Sequence, residues 1–219
     1  MFETPEKVIE YLKDWCLEKQ IHDFDRYMKV YKHGVKALRA TSYSEDVKIS
    51  ILLACLLYEV DIKQEFVNVR EILSNCFCMQ HEDLVVEMIS ISKNDNSSEK
   101  SPWKYIPRDC DRLETIGEEG IARCEQYALR IGNPLHTETT PLPTTMAELE
   151  EVINYCPVEV DGNSKSMLDH FYDKLLHLGY VASENKYIVA ENHIRMTFIK
   201  NWLLNVNKVI KLIKNLKVK

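Results

Sequence analysis

The stretch Ile49-Ser50-Ile51-Leu52-Leu53-Ala54-Cys55-Leu56-Leu57 constrains the fold more than any other part of the chain. It is apolar on nearly every side. A helix with one apolar stripe lies on a surface, whereas a helix apolar all round must be surrounded by other elements. A buried strand is the competing assignment, but the segment is long and rich in Leu and Ala, which favours helix. Ser44-Glu45-Asp46 supplies the start: a capping hydroxyl followed by first-turn acids. Further helices must then wrap this one, and 219 residues suffice to build such a core.

Those helices are legible from spacing. Val8, Ile9, Leu12, Trp15 and Cys16 recur at helical intervals after Thr4-Pro5-Glu6, with Thr4 as N-cap and Pro5 in the first helical position. Further helices are expected over about 23–38, 67–77, 82–92, 108–115, 118–131, 166–178 and 183–216. Residues 94–102 are polar and turn-rich, and Asp161-Gly162-Asn163 is a turn. Residues 133–145 hold Pro134, Pro141 and Pro143 among five threonines and are the clearest irregular segment, either a lid or a long surface connection. With no internal repeat, the expectation is an all-α chain forming one continuous domain, its core spanning about residues 5–205.

Composition excludes several classes. Only 6 Gly and 7 Pro argue against a Gly-rich phosphate loop and against an all-β fold with many tight turns. A net charge of -6 gives no global attraction to nucleic acid or anionic membrane. The 7 cysteines are odd in number and contain no CxxC pair; Cys76 and Cys78 alone are too sparse for zinc. Reduced thiols in a cytoplasmic protein are expected. The acidic N-terminus lacks the apolar region of a signal peptide, and no apolar run reaches membrane-spanning length.

Four segments, in order, resemble one branch of the HD superfamily of metal-dependent phosphohydrolases, the small bacterial-type proteins related to nucleotide pyrophosphatases. The longest match is Asp109-Cys110-Asp111-Arg112-Leu113-Glu114-Thr115-Ile116-Gly117-Glu118-Glu119-Gly120-Ile121-Ala122-Arg123. It is similar to that branch's Asp-Ala-Asp-Arg-Leu signature and its glycine-containing continuation. Asp169-His170-Phe171-Tyr172-Asp173-Lys174-Leu175-Leu176 resembles an Asp-His-Phe-x-x-Lys-Leu-Leu helix. The end of the apolar run, Leu57-Tyr58-Glu59-Val60-Asp61, looks like the helix that normally closes on His-Asp. Arg26 to Tyr31 resembles the helix that normally supplies the first metal histidine.

The resemblance implies two His and two Asp, from three helices, holding a divalent metal that activates water and polarises a phosphoryl oxygen. Carried over by position, the first His is Arg26, the His-Asp pair is Tyr58-Glu59, and the last Asp is kept as Asp111. Two auxiliary His positions fall on Ile89 and Asn94. Tyr58 is a neutral phenol, and the guanidinium of Arg26 is permanently charged and repels a cation. An ion pair of Arg26 with Asp111 or Glu59 is expected in place of the metal, and with it no cofactor.

Other features compete for attention. His22-Asp23 is a literal His-Asp pair, but it sits at a helix start, where Asp23 suits a cap. His22, Arg26, Lys29 and His33 share adjoining faces and form either a positive stripe for phosphate or a solvated face with Arg26 paired inward. Asp109 lies two residues from Asp111 and must point elsewhere, to a cap or a hydrogen bond. Gly117 and Gly120 suit close packing, and His170 and His177 read as structural. On the last helix Lys200, Lys208, Lys211 and Lys214 gather opposite Trp202, Leu203, Val206, Val209, Ile210 and Ile213. That amphipathic, basic helix either closes the domain or offers a homodimer, membrane or nucleic-acid contact.

Nucleic-acid or partner binding through that Lys-rich helix is one expected function, and the old metal centre offers two more. One is a degenerate HD protein binding a nucleotide or a protein partner. The other is a diverged nucleotide phosphohydrolase using Asp111, Glu59 and Asp61 with Mg²⁺ or Mn²⁺, and Lys29 or Lys63 against phosphates.

Overall fold

A computed structural model of the chain describes residues 3–19, 24–60, 66–93, 101–156 and 164–217. Among these residues the secondary structure is helical throughout, with no strand. The ten α-helices are α1 (Glu3–Glu18), α2 (Phe24–Leu38), α3 (Glu45–Leu57), α4 (Val67–Asn75), α5 (Glu82–Lys93), α6 (Ile106–Thr115), α7 (Gly117–Ile131), α8 (Met146–Tyr155), α9 (Met167–Asp173) and α10 (Lys186–Lys217). No helix among them is long and apolar enough to cross a membrane. The chain forms two compact units, one of Met1–Glu114 with Val181–Val189, the other of Thr115–Tyr180 with Ala190–Lys219.

The first unit is built around α3. Every side chain from Ile51 to Leu57 is at most 1% exposed. Its neighbours are α1, α2 and α5, which supply Leu12, Val30 and Met88 to the same core. Each such aliphatic side chain contributes about 1.5–3 kcal/mol on burial, so this helix alone carries a large share of the unit's stability. The Ser44 hydroxyl accepts the Val47 N–H at 3.4 Å, so the helix starts at the expected cap.

Several expected boundaries move, each for a local reason. α1 begins at Glu3, so Thr4 is inside the helix rather than its cap; Pro5 is tolerated because a first-turn N–H has no helical partner to lose. α4 stops at Asn75 because Phe77 turns left-handed at φ 57° and Cys78 N–H bonds back to Leu73 O at 2.8 Å, a Schellman closure. α10 starts at Lys186, not Ser183, because Asn185 is the better cap, its Oδ1 accepting the N–H of Tyr187 at 3.1 Å and of Ile188 at 3.3 Å.

The second unit packs α7, α8 and the tail of α10 around α9 and the 3₁₀ turn Leu175–Gly179. Phe171 and Tyr172 are fully buried, and Phe171 meets Trp202 with ring centroids 5.2 Å apart. The helix expected over 166–178 breaks at Lys174, whose φ of -134° and ψ of -63° leave the α region. α8 is missing from the sequence assignment, although Thr145 caps it by accepting Glu148 N–H. Residues 133–145 are irregular, as expected, and are stitched down rather than free. Thr140 donates to Asp169 Oδ2 at 3.1 Å, and Pro134 and Leu135 carbonyls accept the N–H groups of Met167 and Leu168. Fully buried Asn207 donates to Pro143 O at 2.8 Å, a polar anchor inside the apolar face of α10. That face is buried only as far as Ile210; Val209 and Ile213, expected on it, are about half exposed (55% and 48%) because the helix outruns its cover.

Gly120 explains the tight entry to α7. A Cβ there would meet the backbone carbonyl of Thr115 at 2.2 Å, so only glycine fits.

Candidate functional site

Three charged side chains of the first unit converge. Arg26 stands in the first turn of α2, Glu59 just beyond the end of α3, and Asp111 midway along α6. Arg26 Nη2 donates to Asp111 Oδ1 at 2.7 Å and lies 2.9 Å from Glu59 Oε1. The side chains are only 22%, 12% and 24% exposed for Arg26, Asp111 and Glu59, so solvent screens the cluster weakly. The expected ion pair is therefore formed, and to both carboxylates. A planar guanidinium can serve two acceptors at once where a lysine would offer a point charge.

Tyr58 caps α3 beside this cluster. Burial is the chief reason its phenol is held well above its ordinary range; Asp111 and Glu59 push the same way, while Arg112 and Arg108 oppose. It is neutral at any ordinary pH. Arg108 and Asp109, one turn back on α6, are both buried and paired at 2.9 Å. Asp109 points away from Asp111, as its offset requires, and accepts the Ser183 N–H at 2.7 Å.

His33 is the clearest correction. It does not join a solvent-facing phosphate stripe with Arg26 and Lys29. It is buried, its Nε2 lies 2.8 Å from Glu114 Oε1, and its Nδ1 lies 2.6 Å from the Tyr187 hydroxyl. A carboxylate only accepts, so Nε2–H donates to Glu114, while Nδ1 shares a hydrogen bond with the Tyr187 hydroxyl. A helical seven-residue offset places His33 near the Arg26 face but does not say that the face curves inward at its far end. Glu114 and Tyr187 were invisible as site residues in the sequence. The one signal was Glu114's place inside the Asp109–Arg123 motif, next to Asp109 and Asp111, which are also buried.

Lys29 is exposed, one turn from Arg26. Ile89, an auxiliary position, is a core residue of α5 at 1% exposure. His22, Asp23, Asp61, Lys63 and Asn94 lie outside the described residues. Among the described residues no three His, Cys, Asp or Glu side chains gather in a way that could hold a metal ion.

No protein-family model matches the chain. It is 32% identical over 212 residues to the uncharacterized protein L803 of Acanthamoeba polyphaga mimivirus, covering 84% of this chain and 87% of that one. The chain belongs to the L803 family. Its fold is shared more widely. An HD-superfamily hydrolase from Bacillus thuringiensis matches with a TM-score of 0.66 at 19% identity, over 99% of this chain and 98% of that one. Bacillus subtilis YpgQ, solved in complex with ADP, matches with a TM-score of 0.63 at 19% identity, over 94% and 96%. At such identities the likeness establishes the HD-superfamily fold and bears out that part of the resemblance.

Proposed function

We propose that this chain is a non-catalytic HD-fold protein in which an internal ion pair replaces the metal, and which binds a nucleotide or a protein partner. The observation that carries this reading is Arg26 Nη2 within 2.7 Å of Asp111 and 2.9 Å of Glu59. The HD fold implies a divalent cation at these positions, and the residues present do not fit one. A divalent ion about 4 Å from a fixed guanidinium would meet a repulsion of about 8 kcal/mol at an effective dielectric of about 20. Tyr58, held neutral by burial, offers no compensating ligand. Nucleotide binding draws support from YpgQ, which shares the fold and was solved with ADP.

The test is turnover of nucleoside mono-, di- and triphosphates with Mg²⁺, Mn²⁺, Ni²⁺ and Co²⁺, with metal content measured on the same sample. No turnover and no metal is the expected outcome. Robust hydrolysis that Asp111→Ala abolishes would overturn it in favour of a phosphohydrolase using Asp111, Glu59 and Asp61 with Mg²⁺ or Mn²⁺. In parallel, Ni²⁺ should leave the thermal midpoint of the wild type unchanged and raise that of Arg26→His by about 2–4 °C, because only the variant restores an imidazole beside two carboxylates.

The exposed apolar residues Val209, Leu212, Ile213 and Leu216 at the end of α10 favour a homodimer contact as the second reading. Sedimentation should show a concentration-dependent dimer that Leu212→Lys disrupts; a monomer at every concentration removes it.

A further inference from the structure

A cavity of about 580 Å³ opens within the second unit, between α7 and the segment that runs from α9 into Leu175–Gly179. Its charged lining is one-sided. Arg123, Arg130 and Lys174 border it, with His170, Tyr127 and Leu175, and among the described residues no Asp or Glu lines it. This occurs in a chain with 34 acids against 28 bases, where a mixed lining would be ordinary. The helix register makes the grouping. Arg123, Tyr127 and Arg130 fall at i, i+4 and i+7 on one face of α7, and His170 and Lys174 at i and i+4 on the facing segment. Among the described residues none of the three cations has a carboxylate partner. The nearby acid Asp173 is buried and turned to the Ser164 hydroxyl at 2.8 Å. Arg130 lies 5.3 Å over the Tyr127 ring, which orders its guanidinium at the cavity.

From this one-signed lining of Arg123, Arg130 and Lys174 we infer a binding site for a small organic phosphate of nucleotide size. Two cations from α7 and one from the residue that ends α9 can converge on a single phosphoryl group, which accepts several charge-assisted hydrogen bonds at once. The volume falls within the range of about 300–1,000 Å³ typical of small-molecule sites and exceeds what inorganic phosphate needs. Tyr127 and Leu175 supply apolar surface for the remainder of the ligand. The site goes beyond the reading of the Arg26 centre and stands whether or not that centre takes a metal.

Calorimetric titration of the full chain in EDTA, with AMP, ribose 5-phosphate, adenosine and inorganic phosphate, tests this. AMP should bind more tightly than inorganic phosphate, and adenosine should not bind. Arg123→Gln and Lys174→Gln should each weaken AMP about ten-fold or more, the loss of one charge-assisted contact. Lys208→Gln, an exposed surface charge on α10, should not. Ribose 5-phosphate matching AMP assigns the body contact to the sugar; weaker binding assigns it to the base. No AMP binding by a wild type that melts cooperatively overturns the inference. So does AMP binding no tighter than inorganic phosphate, or AMP affinity that survives the Arg123→Gln/Lys174→Gln double variant. Thermal melts check that the variants are folded, and both substitutions are at incompletely buried positions.

Discussion

His33 and Glu114 are 6% and 2% exposed, and each is the other's route to a satisfied polar group. Glu114→Ala should therefore cost about 1–3 kcal/mol, since it strands a buried imidazole N–H; Glu114→Gln, which keeps an acceptor, should cost less. Chemical denaturation of the three proteins measures both. Buried histidines also set an acid limit. Ser50 donates its one hydrogen to Asp46 O at 2.8 Å, so the contact at 2.9 Å must be donated by His81 Nδ1–H. Burial lowers the pKa of His81, opposed by Asp46, and burial followed by Lys174 lowers that of His170. For a depressed histidine the unfolded chain takes its proton first, so the stabilisation is full above the ordinary value of 6.5 and is lost as pH falls below it. Melting should drop between about pH 7.5 and about pH 5.5, and His81→Gln should flatten that slope. None of this was legible from residue identity: His33 reads equally well as a surface cation until its partner, 81 residues away, is placed.

Helices are where the sequence speaks most directly, because their signals are local. The all-round apolar run became the central α3, and its Ser44 cap was in place. α8 shows the same kind of signal going unread. Thr145-Met146-Ala147-Glu148 is a capping sequence, and Glu148 is held below the usual carboxylate range first by the Thr144 N–H and then by its hydroxyl. The glycine pair at the start of α7 is also local, and packing was the expected role. Gly117 takes φ 83°, and Gly120 sits against the Thr115 carbonyl. Gly120→Ala should destabilise by about 2–3 kcal/mol despite alanine's better helix propensity, because the obstacle is backbone and cannot rotate away. An unchanged or raised melting temperature for Gly120→Ala would contradict this packing.

The whole molecule is two compact units through which the chain passes more than once: it leaves the first at Glu114, returns for Val181–Val189, and leaves again. Neither unit is a contiguous piece of sequence, and one continuous domain is the expectation from the sequence. Scanning calorimetry should then show one transition. The thiols provide a second whole-molecule readout. Six of the 7 cysteines are buried and none is in a disulfide. Burial pushes Cys76 up to about 11 and Cys124 up to about 12, so neither is a thiolate at neutral pH. An aromatic disulfide reagent should modify the native protein slowly, at Cys156 first, and all seven thiols after denaturation; fast native labelling at Cys76 or Cys124 would contradict the packing. The sequence by itself determined the helical class, the central helix and the HD resemblance, because apolar period, caps and motif order are properties of neighbours along the chain. Only the tertiary structure decided that Arg26 reaches both Asp111 and Glu59, that His33 turns inward to Glu114, and that three cations of the second unit border one cavity. Those pairings depend on how helices distant in sequence pack, and no local spacing encodes that.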